Sequence, residues 1–148
     1  MILIGVDWGE RRVGLAIWDD PQLDARPLDT LEVTPESCVA RVARRVLSES
    51  PSALVVGLPL RLDGREGPSS RSARKFAAAL AAKTKLPVHL QDERFTTSQA
   101  HTHRVAAGAW GREGVDAQAA AILVQTWASA QGLTRRLTCL DEAQMDDE

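Results

Sequence analysis

Three acidic residues, Asp7, Glu93 and Asp116, lie at predicted strand ends and at a predicted helix start, where a carboxylate could bind a cation. Asp7 ends the apolar run 2–6, and Glu93 closely follows the strand-like run 87–91. Asp116 opens the apolar stretch that predicts the last helix. A carboxylate at the end of a buried strand is costly to desolvate unless cations or hydrogen bonds compensate its charge. Taken singly, each acid also fits an ordinary turn or first-turn helix position.

Three convergent carboxylates would repel one another unless cations lay between them. Ligands that are all oxygen favour Mg²⁺ or Mn²⁺. Two such ions can activate a water molecule and stabilise the leaving oxygen of a phosphodiester. We therefore expect a nuclease site with two ions, in which Asp7 bridges both and Glu93 and Asp116 each complete one.

The apolar patterns predict an α/β fold with a mixed five-stranded sheet flanked by helices. The predicted strands cover residues 2–7, 13–18, 28–33, 53–58 and 87–91. The predicted helices begin at a Thr34 cap with Pro35 first, at Ser69 or Ser70, near Thr96 or Thr97, and near Val115–Asp116, after a loop at 108–114. The first two strands form a hairpin, and the later alternation of strands and helices implies parallel crossovers. Sites in such sheets form beyond the carboxyl ends of the strands, where Asp7 and Glu93 both lie.

Helical spacing of apolar residues predicts one buried face on each of three helices. The first face comprises Val39, Val42, Ala43, Val46 and Leu47; the second Ala73, Phe76, Ala77 and Leu80; the third Ala117, Ala120, Ala121, Val124 and Trp127. Trp8 and Trp18 are expected to pack in the core rather than bind bases.

Composition predicts one cytoplasmic domain over residues 1–135 and an acidic, flexible tail over 136–148. No apolar run approaches the ~20 residues that span a bilayer, and no secretory signal opens the chain. The widely separated Cys38 and Cys139 fit neither a disulfide framework nor a zinc site.

A basic excess in residues 61–85 predicts a contact with a polyanion, and a solvated helix face is the alternative. Seven basic residues there oppose two acidic ones. The candidates for nucleic-acid binding are Arg61, Arg65, Arg71, Arg74 and Lys75 in this segment, with Arg11, Arg12, Arg94 and Trp110 outside it. Arg94 would bind a phosphate or pair with Asp92. Trp110 would stack on an unpaired base or pack against its own domain.

Four motifs in order resemble the YqgF/RuvX family of the RNase H-like superfamily over residues 2–130. They are 4–16 (IGVDWGERRVGLA), 56–68 (VGLPLRLDGREGP), 92–97 (DERFTT) and 115–120 (VDAQAA). The resemblance implies an RNase H-like fold and a divalent-metal nuclease, with metal-binding carboxylates at Asp7, Glu93 and Asp116. It also implies a role in maturing the 5′ end of pre-16S rRNA, or in resolving Holliday junctions.

The chain departs from the family pattern before Asp116. Many members are rich in Lys and Arg there, whereas residues 108–114 hold one base and one acid. The expected partner is nucleic acid, with RNA favoured, no membrane, and a monomer or homodimer; a junction resolvase would need the dimer. Two other classes stay open: an ATPase of the actin-like class, and a non-enzymatic RNA binder. Three clustered acids argue against the second class, because they would repel the RNA in a protein that only binds it.

Overall fold

The fold is described from a computed structural model in which residues 1–94 and 111–133 are described, without the side chains of 111–115. The strands are β1 (Leu3–Asp7), β2 (Arg12–Trp18), β3 (Arg26–Glu32), β4 (Ala53–Leu58) and β5 (Val88–Asp92). The helices are α1 (Cys38–Leu47), α2 (Pro68–Thr84) and α3 (Gly111–Ala130). The helix predicted near 96–107, Trp110 and the acidic tail lie outside the described residues.

The five strands form one mixed sheet, as predicted, and their order in the sheet is β3-β2-β1-β4-β5. The β1–β2 and β2–β3 pairs are antiparallel, and the β1–β4 and β4–β5 pairs are parallel. In register, Asp7 lies opposite Gly14, and Leu58 lies beside Asp92. The carboxyl ends of β1, β4 and β5 therefore meet at one edge of the sheet, which is where the predicted acids stand.

Apolar side chains fill both faces of the sheet. On the side of α1 and α2 the core includes Ile4, Val6, Val42, Val46, Phe76 and Leu80; on the side of α3 it includes Leu3, Ala16, Trp18, Val55, Ala120 and Val124. The predicted buried faces are confirmed with three exceptions, one of which is Val39, which is only partly buried. Leu47 is 44% exposed, so its predicted burial is wrong, because it lies at the last turn of α1. Trp127 is only partly buried.

The predicted starts of α1 and α2 are wrong by one to three residues. Regular helix α1 begins at Cys38, although Thr34 makes the expected capping contacts: the Ser37 amide donates to Thr34 Oγ1 at 3.2 Å. Helix α2 begins at Pro68 rather than after a Ser69 or Ser70 cap. Proline suits the first helical position, where its missing amide proton costs nothing. Ser70 lies inside the first turn, is buried, and donates its hydroxyl proton to the Pro59 carbonyl.

Helix α3 begins at Gly111, four residues before the predicted start, so the predicted loop at 111–114 is helical. Asp116 consequently lies in the second turn and not in the first. The stabilisation that a helix N-terminus gives to an acid falls off within the first turn, so it contributes less here than the sequence pattern suggests. What holds Asp116 in place is instead the packing of α3 on the sheet.

Glycines in the β1–β2 hairpin allow α3 to lie directly on the sheet backbone. A β-carbon at Gly14 would overlap the carbonyl group of Asp116. A β-carbon at Gly5 would lie 2.5 Å from the Ala120 carbonyl oxygen and 2.8 Å from Val124 Cβ. A side chain at either position would push α3 outward, and Asp116 with it.

We predict that Gly14→Ala destabilises the fold by at least about 2 kcal/mol, because the new methyl group overlaps backbone that cannot rotate away. Urea unfolding measures the change. Gly67→Ala is the control, since a β-carbon there meets nothing nearer than 3.7 Å, and it should cost less than about 1 kcal/mol. Equal midpoints for wild type and Gly14→Ala would contradict this account of how α3 is seated.

Candidate active site

Three separate elements bring the predicted carboxylates to the same edge of the sheet. Asp7 is the last residue of β1 and pairs with Gly14, on which the backbone of Asp116 rests. Glu93 follows β5, and its amide donates to the Leu58 carbonyl at 3.2 Å. Its side chain turns back over β4, since a β-carbon at Gly57 would overlap Glu93 Oε2. Gly14 and Gly57 thus make room for the two acids that flank Asp7.

The electrostatics of Asp7 show that the three acids interact. Burial, then the charge of Glu93, then that of Asp116 raise the pKa of Asp7 to about 8. Burial is also the main cause of the raised pKa of Glu93, followed by the charge of Asp92. Each effect disfavours the ionised form. A cation placed between the acids would instead favour their ionised forms.

Asp116 has a protein cation beside it. Arg12 Nε lies 3.0 Å from Asp116 Oδ2, with 37% and 27% of the two side chains exposed. The Oδ2 atom is buried, and the arginine is not oriented to donate a hydrogen bond to it. The ion pair therefore compensates the charge of Asp116 without a hydrogen bond to this oxygen.

The donor chemistry fits a hard divalent cation. The candidate ligands are carboxylate oxygens. Burial and two acidic neighbours raise the pKa of Asp7, and the buried Oδ2 atom of Asp116 accepts no hydrogen bond. In residues 1–94 and 111–133, however, no three His, Cys, Asp or Glu side chains form a ready metal-binding group. Sharing an ion would therefore require the three side chains to draw closer together.

The basic candidates around α2 are exposed, as predicted, but several already have acidic partners. Arg74 Nε lies 2.5 Å from Glu66 Oε1, and Arg65 Nε lies 3.9 Å from Asp63 Oδ2. Arg61, Arg71 and Lys75 are exposed, as is Arg11 in the β1–β2 turn. Each of the two acidic residues of this segment thus pairs with one arginine, and the excess of five positive charges that remains after counting them is unchanged.

Arg94 takes the second of its two predicted roles, the ion pair with Asp92. Its Nη2 and Nε atoms lie 2.8 and 2.9 Å from Asp92 Oδ2, and its amide donates to Asp92 Oδ1 at 2.9 Å. These contacts lower the pKa of Asp92, chiefly through the side-chain hydrogen bond. The carboxylate of Asp92 therefore stays ionised and is paired with Arg94. We do not count it among the three acids of the candidate site.

Two cavities flank the site, and sequence reasoning missed both. A cleft of about 760 Å³ runs from residues 9–12 past Glu32 and Val33 to Asp116. On the other face of the sheet, a cavity of about 530 Å³ includes Trp8, Cys38, Lys75 and Phe76 in its lining. The first could have been suspected only from the strand register, because it joins residues a hundred positions apart.

Trp8 packs on Phe76 with ring centres 6.0 Å apart, which confirms its predicted packing role.

Comparison with known proteins assigns the chain to a family. The model of the family "RuvX: Holliday junction resolvase" matches residues 1–130. The chain belongs to the RuvX family. This membership confirms the predicted family and the predicted enzyme class, a nuclease, which is a hydrolase acting on ester bonds.

Relatives of known name agree with the RuvX assignment. A protein of Anaeromyxobacter sp. is 43% identical over 131 residues, which cover 86% of this chain and 96% of the relative. A protein of Pseudomonas putida is 40% identical over 138 residues, which cover 87% and 95%. Both carry the name "Putative pre-16S rRNA nuclease".

Solved structures confirm the RNase H-like fold of this RuvX-family chain. Thermus thermophilus RuvC aligns with a TM-score of 0.54 at 21% identity, covering 93% of this chain and all of that one. RuvC in complex with a Holliday junction substrate aligns with a TM-score of 0.55 at 20% identity. Among the described residues of this chain, no helix has both the length and the apolar character of a membrane span.

The raised pKa of Asp7 makes stability depend on pH in the metal-free RuvX-family protein. Between the unfolded value of 3.8 and the folded value of about 8, the native state binds the extra proton, so stability falls as pH rises. We expect a loss of about 2 kcal/mol from pH 6 to pH 8.5 in EDTA.

Urea unfolding at a series of pH values measures this slope. Asp7→Asn should remove most of it and leave the smaller contribution of Glu93. Stability that is constant or rises over this range in EDTA would show that Asp7 is not held among uncompensated acids.

Proposed function

We propose that this protein is a divalent-metal nuclease that hydrolyses phosphodiester bonds with two Mg²⁺ or Mn²⁺ ions. The observation that carries the proposal is the convergence of Asp7, Glu93 and Asp116 at one sheet edge, with Asp7 electrostatically coupled to both others. An ATPase of the actin-like class is disfavoured, because those proteins enclose the nucleotide between two lobes, whereas residues 1–94 and 111–133 of this chain form a single sheet with its helices.

Each side chain has a definite role in this proposal. Asp7 would be shared by both ions, since it ends the central strand β1 and senses both other acids. Glu93 and Asp116 would each complete one ion's ligands from opposite sides. The bound ions supply Lewis acidity and an activated water for attack on phosphorus. The glycine contacts at Gly14 and Gly57 keep the acids oriented before substrate arrives.

We favour RNA as substrate, and specifically the 5′ end of pre-16S rRNA, in the cytoplasm. This choice is supported by relatives that are 36–43% identical to this chain over most of their length and carry the name "Putative pre-16S rRNA nuclease". The alternative substrate is a Holliday junction, which the description of the RuvX family names. A resolvase needs two active sites across a two-fold axis, so a homodimer would favour the junction and a monomer the RNA.

The basic face of α2 offers a path for the flanking backbone. Arg71, Arg74 and Lys75 are exposed on the side of α2 opposite Ala73 and Phe76. The loop before α2 reaches the active-site edge, since a β-carbon at Gly64 would lie 3.4 Å from Arg94 Nη1. Arg61 and Arg65 belong to this loop and would extend the same path.

Asp7→Asn should lower kcat by three decades or more, the effect of losing about 5 kcal/mol of metal-derived stabilisation. Its affinity for nucleic acid should be unchanged or higher, because a negative charge next to a polyanion is removed. Cleavage of end-labelled RNA under single-turnover conditions measures the rate, and fluorescence anisotropy measures the affinity.

Asp19→Asn is the matched control, because Asp19 pairs with Arg26 at an exposed position away from the three acids. It should cleave like wild type. The wild type should be active with Mg²⁺ or Mn²⁺ and inactive with Ca²⁺, whose longer bonds misplace the attacking water. More than about a tenth of wild-type kcat in Asp7→Asn, or full activity in EDTA, would refute the metal mechanism.

Replacing Arg71, Arg74 and Lys75 together by Ala should weaken RNA binding and make it less dependent on salt. The slope of log affinity against log salt should fall by roughly 0.7 per lost phosphate contact on a single strand. The control replaces Lys83 and Lys85, exposed charges at the other end of α2, and should leave the slope unchanged. If the triple variant and wild type have equal salt slopes, this face of α2 does not contact RNA phosphates and is only a solvated surface.

A further inference from the structure

Arg12 lies at the oxygen that the proposed metal site needs. Its Nε atom is 3.0 Å from Asp116 Oδ2, and that oxygen is buried without a hydrogen bond. A divalent ion and a guanidinium repel each other when both lie at one carboxylate oxygen, so each weakens the binding of the other. Either cation compensates the charge, so the two compete for Asp116.

The cleft beside this ion pair has a charge balance that depends on Asp116. Its lining contains two basic residues, Arg11 and Arg12, and three acidic ones, Glu10, Glu32 and Asp116. Without an added cation the acids are in excess, and a phosphate group is repelled. With a divalent ion on Asp116 the balance becomes positive, and Arg12 is released into the same cleft.

We propose that the metal ion displaces Arg12 from Asp116, and that the freed Arg12 then binds a backbone phosphate of the nucleic acid in this cleft. The inference rests on the proposed function and adds to it a coupling: each ligand strengthens binding of the other. Such coupling must be equal in both directions.

Several features of Arg12 suit this exchange. Arg12 is the first residue of β2 and pairs in register with Glu32, so its backbone is held while its side chain is 37% exposed. The pair is partly exposed, and such an ion pair contributes only modestly to stability, so its replacement by a metal ion costs little. The planar guanidinium then matches a phosphate with two parallel hydrogen bonds.

The first arm of the test measures metal affinity without nucleic acid. Mn²⁺ is titrated by calorimetry at one pH into wild type, Arg12→Gln, Arg12→Lys and Arg11→Gln. Arg12→Gln should bind Mn²⁺ about threefold or more tightly, the size expected when an exposed ion pair no longer competes. Arg12→Lys keeps the charge and should resemble wild type.

Arg11→Gln is the matched control for net charge. Arg11 is the exposed neighbour, and its side chain makes no ion pair with residues 1–94 or 116–133. It should change Mn²⁺ affinity much less than Arg12→Gln does. In an Asp116→Asn background, Arg12→Gln should have no further effect, since the double-mutant cycle isolates the pair.

The second arm measures binding of a single-stranded RNA oligonucleotide by anisotropy, in Ca²⁺ and in EDTA. Arg12→Gln should lose affinity in Ca²⁺, with a salt slope lower by roughly 0.7, the value for one phosphate contact. In EDTA it should bind like wild type, because Arg12 is then held by Asp116.

Two results would overturn the inference alone: Mn²⁺ affinity equal in Arg12→Gln and Arg11→Gln, or the same loss of RNA affinity in Ca²⁺ and in EDTA. The proposed function fails differently, through a wild type that binds no Mn²⁺ or an Asp7→Asn variant that still cleaves. Arg12→Lys serves as the second variant if Arg12→Gln does not fold, and a large gain in its Mn²⁺ affinity would also overturn the exchange.

Discussion

The close packing of α3 on the backbone of the central hairpin is the contact on which the active site depends. Gly5 and Gly14 present no side chain, so the helix carbonyls of Ala120 and Asp116 can rest against the strands. Asp7 lies opposite Gly14 in the sheet register, and the same contact therefore places Asp116 beside Asp7. A residue near the start of the chain and one near its end share a site because two glycines allow it.

Electrostatic repulsion at this edge links folding to function. Burial and two neighbouring acids raise the pKa of Asp7 to about 8, so its ionised state is disfavoured unless a cation lies nearby. The protein supplies one cation of its own, since Arg12 lies beside Asp116. We propose that the edge takes up further positive charge, on which its affinity for a polyanion would depend.

The strands and the positions of the three acids could be predicted because local patterns mark them: apolar runs for the strands, with Asp7 and Glu93 where two of these runs end and Asp116 near the start of an apolar helix. Helix starts could not, because they depend on particular hydrogen bonds, such as that of Ser70 to the Pro59 carbonyl. The ion pairs Arg12–Asp116 and Arg74–Glu66 were also missed, since they join residues that only the tertiary fold brings together. The pairing of Arg94 with Asp92 is local, and it was foreseen as one of two roles.

The central claim is that Asp7, Glu93 and Asp116 hold the catalytic ions, and anomalous scattering from crystals soaked in Mn²⁺ tests it most directly. We predict anomalous peaks at the carboxyl end of β1, within about 2.3 Å of carboxylate oxygens of Asp7 and of at least one of the other two acids. The peaks should disappear in Asp7→Asn crystals. Manganese bound elsewhere on the protein, with no peak at Asp7, would contradict the account.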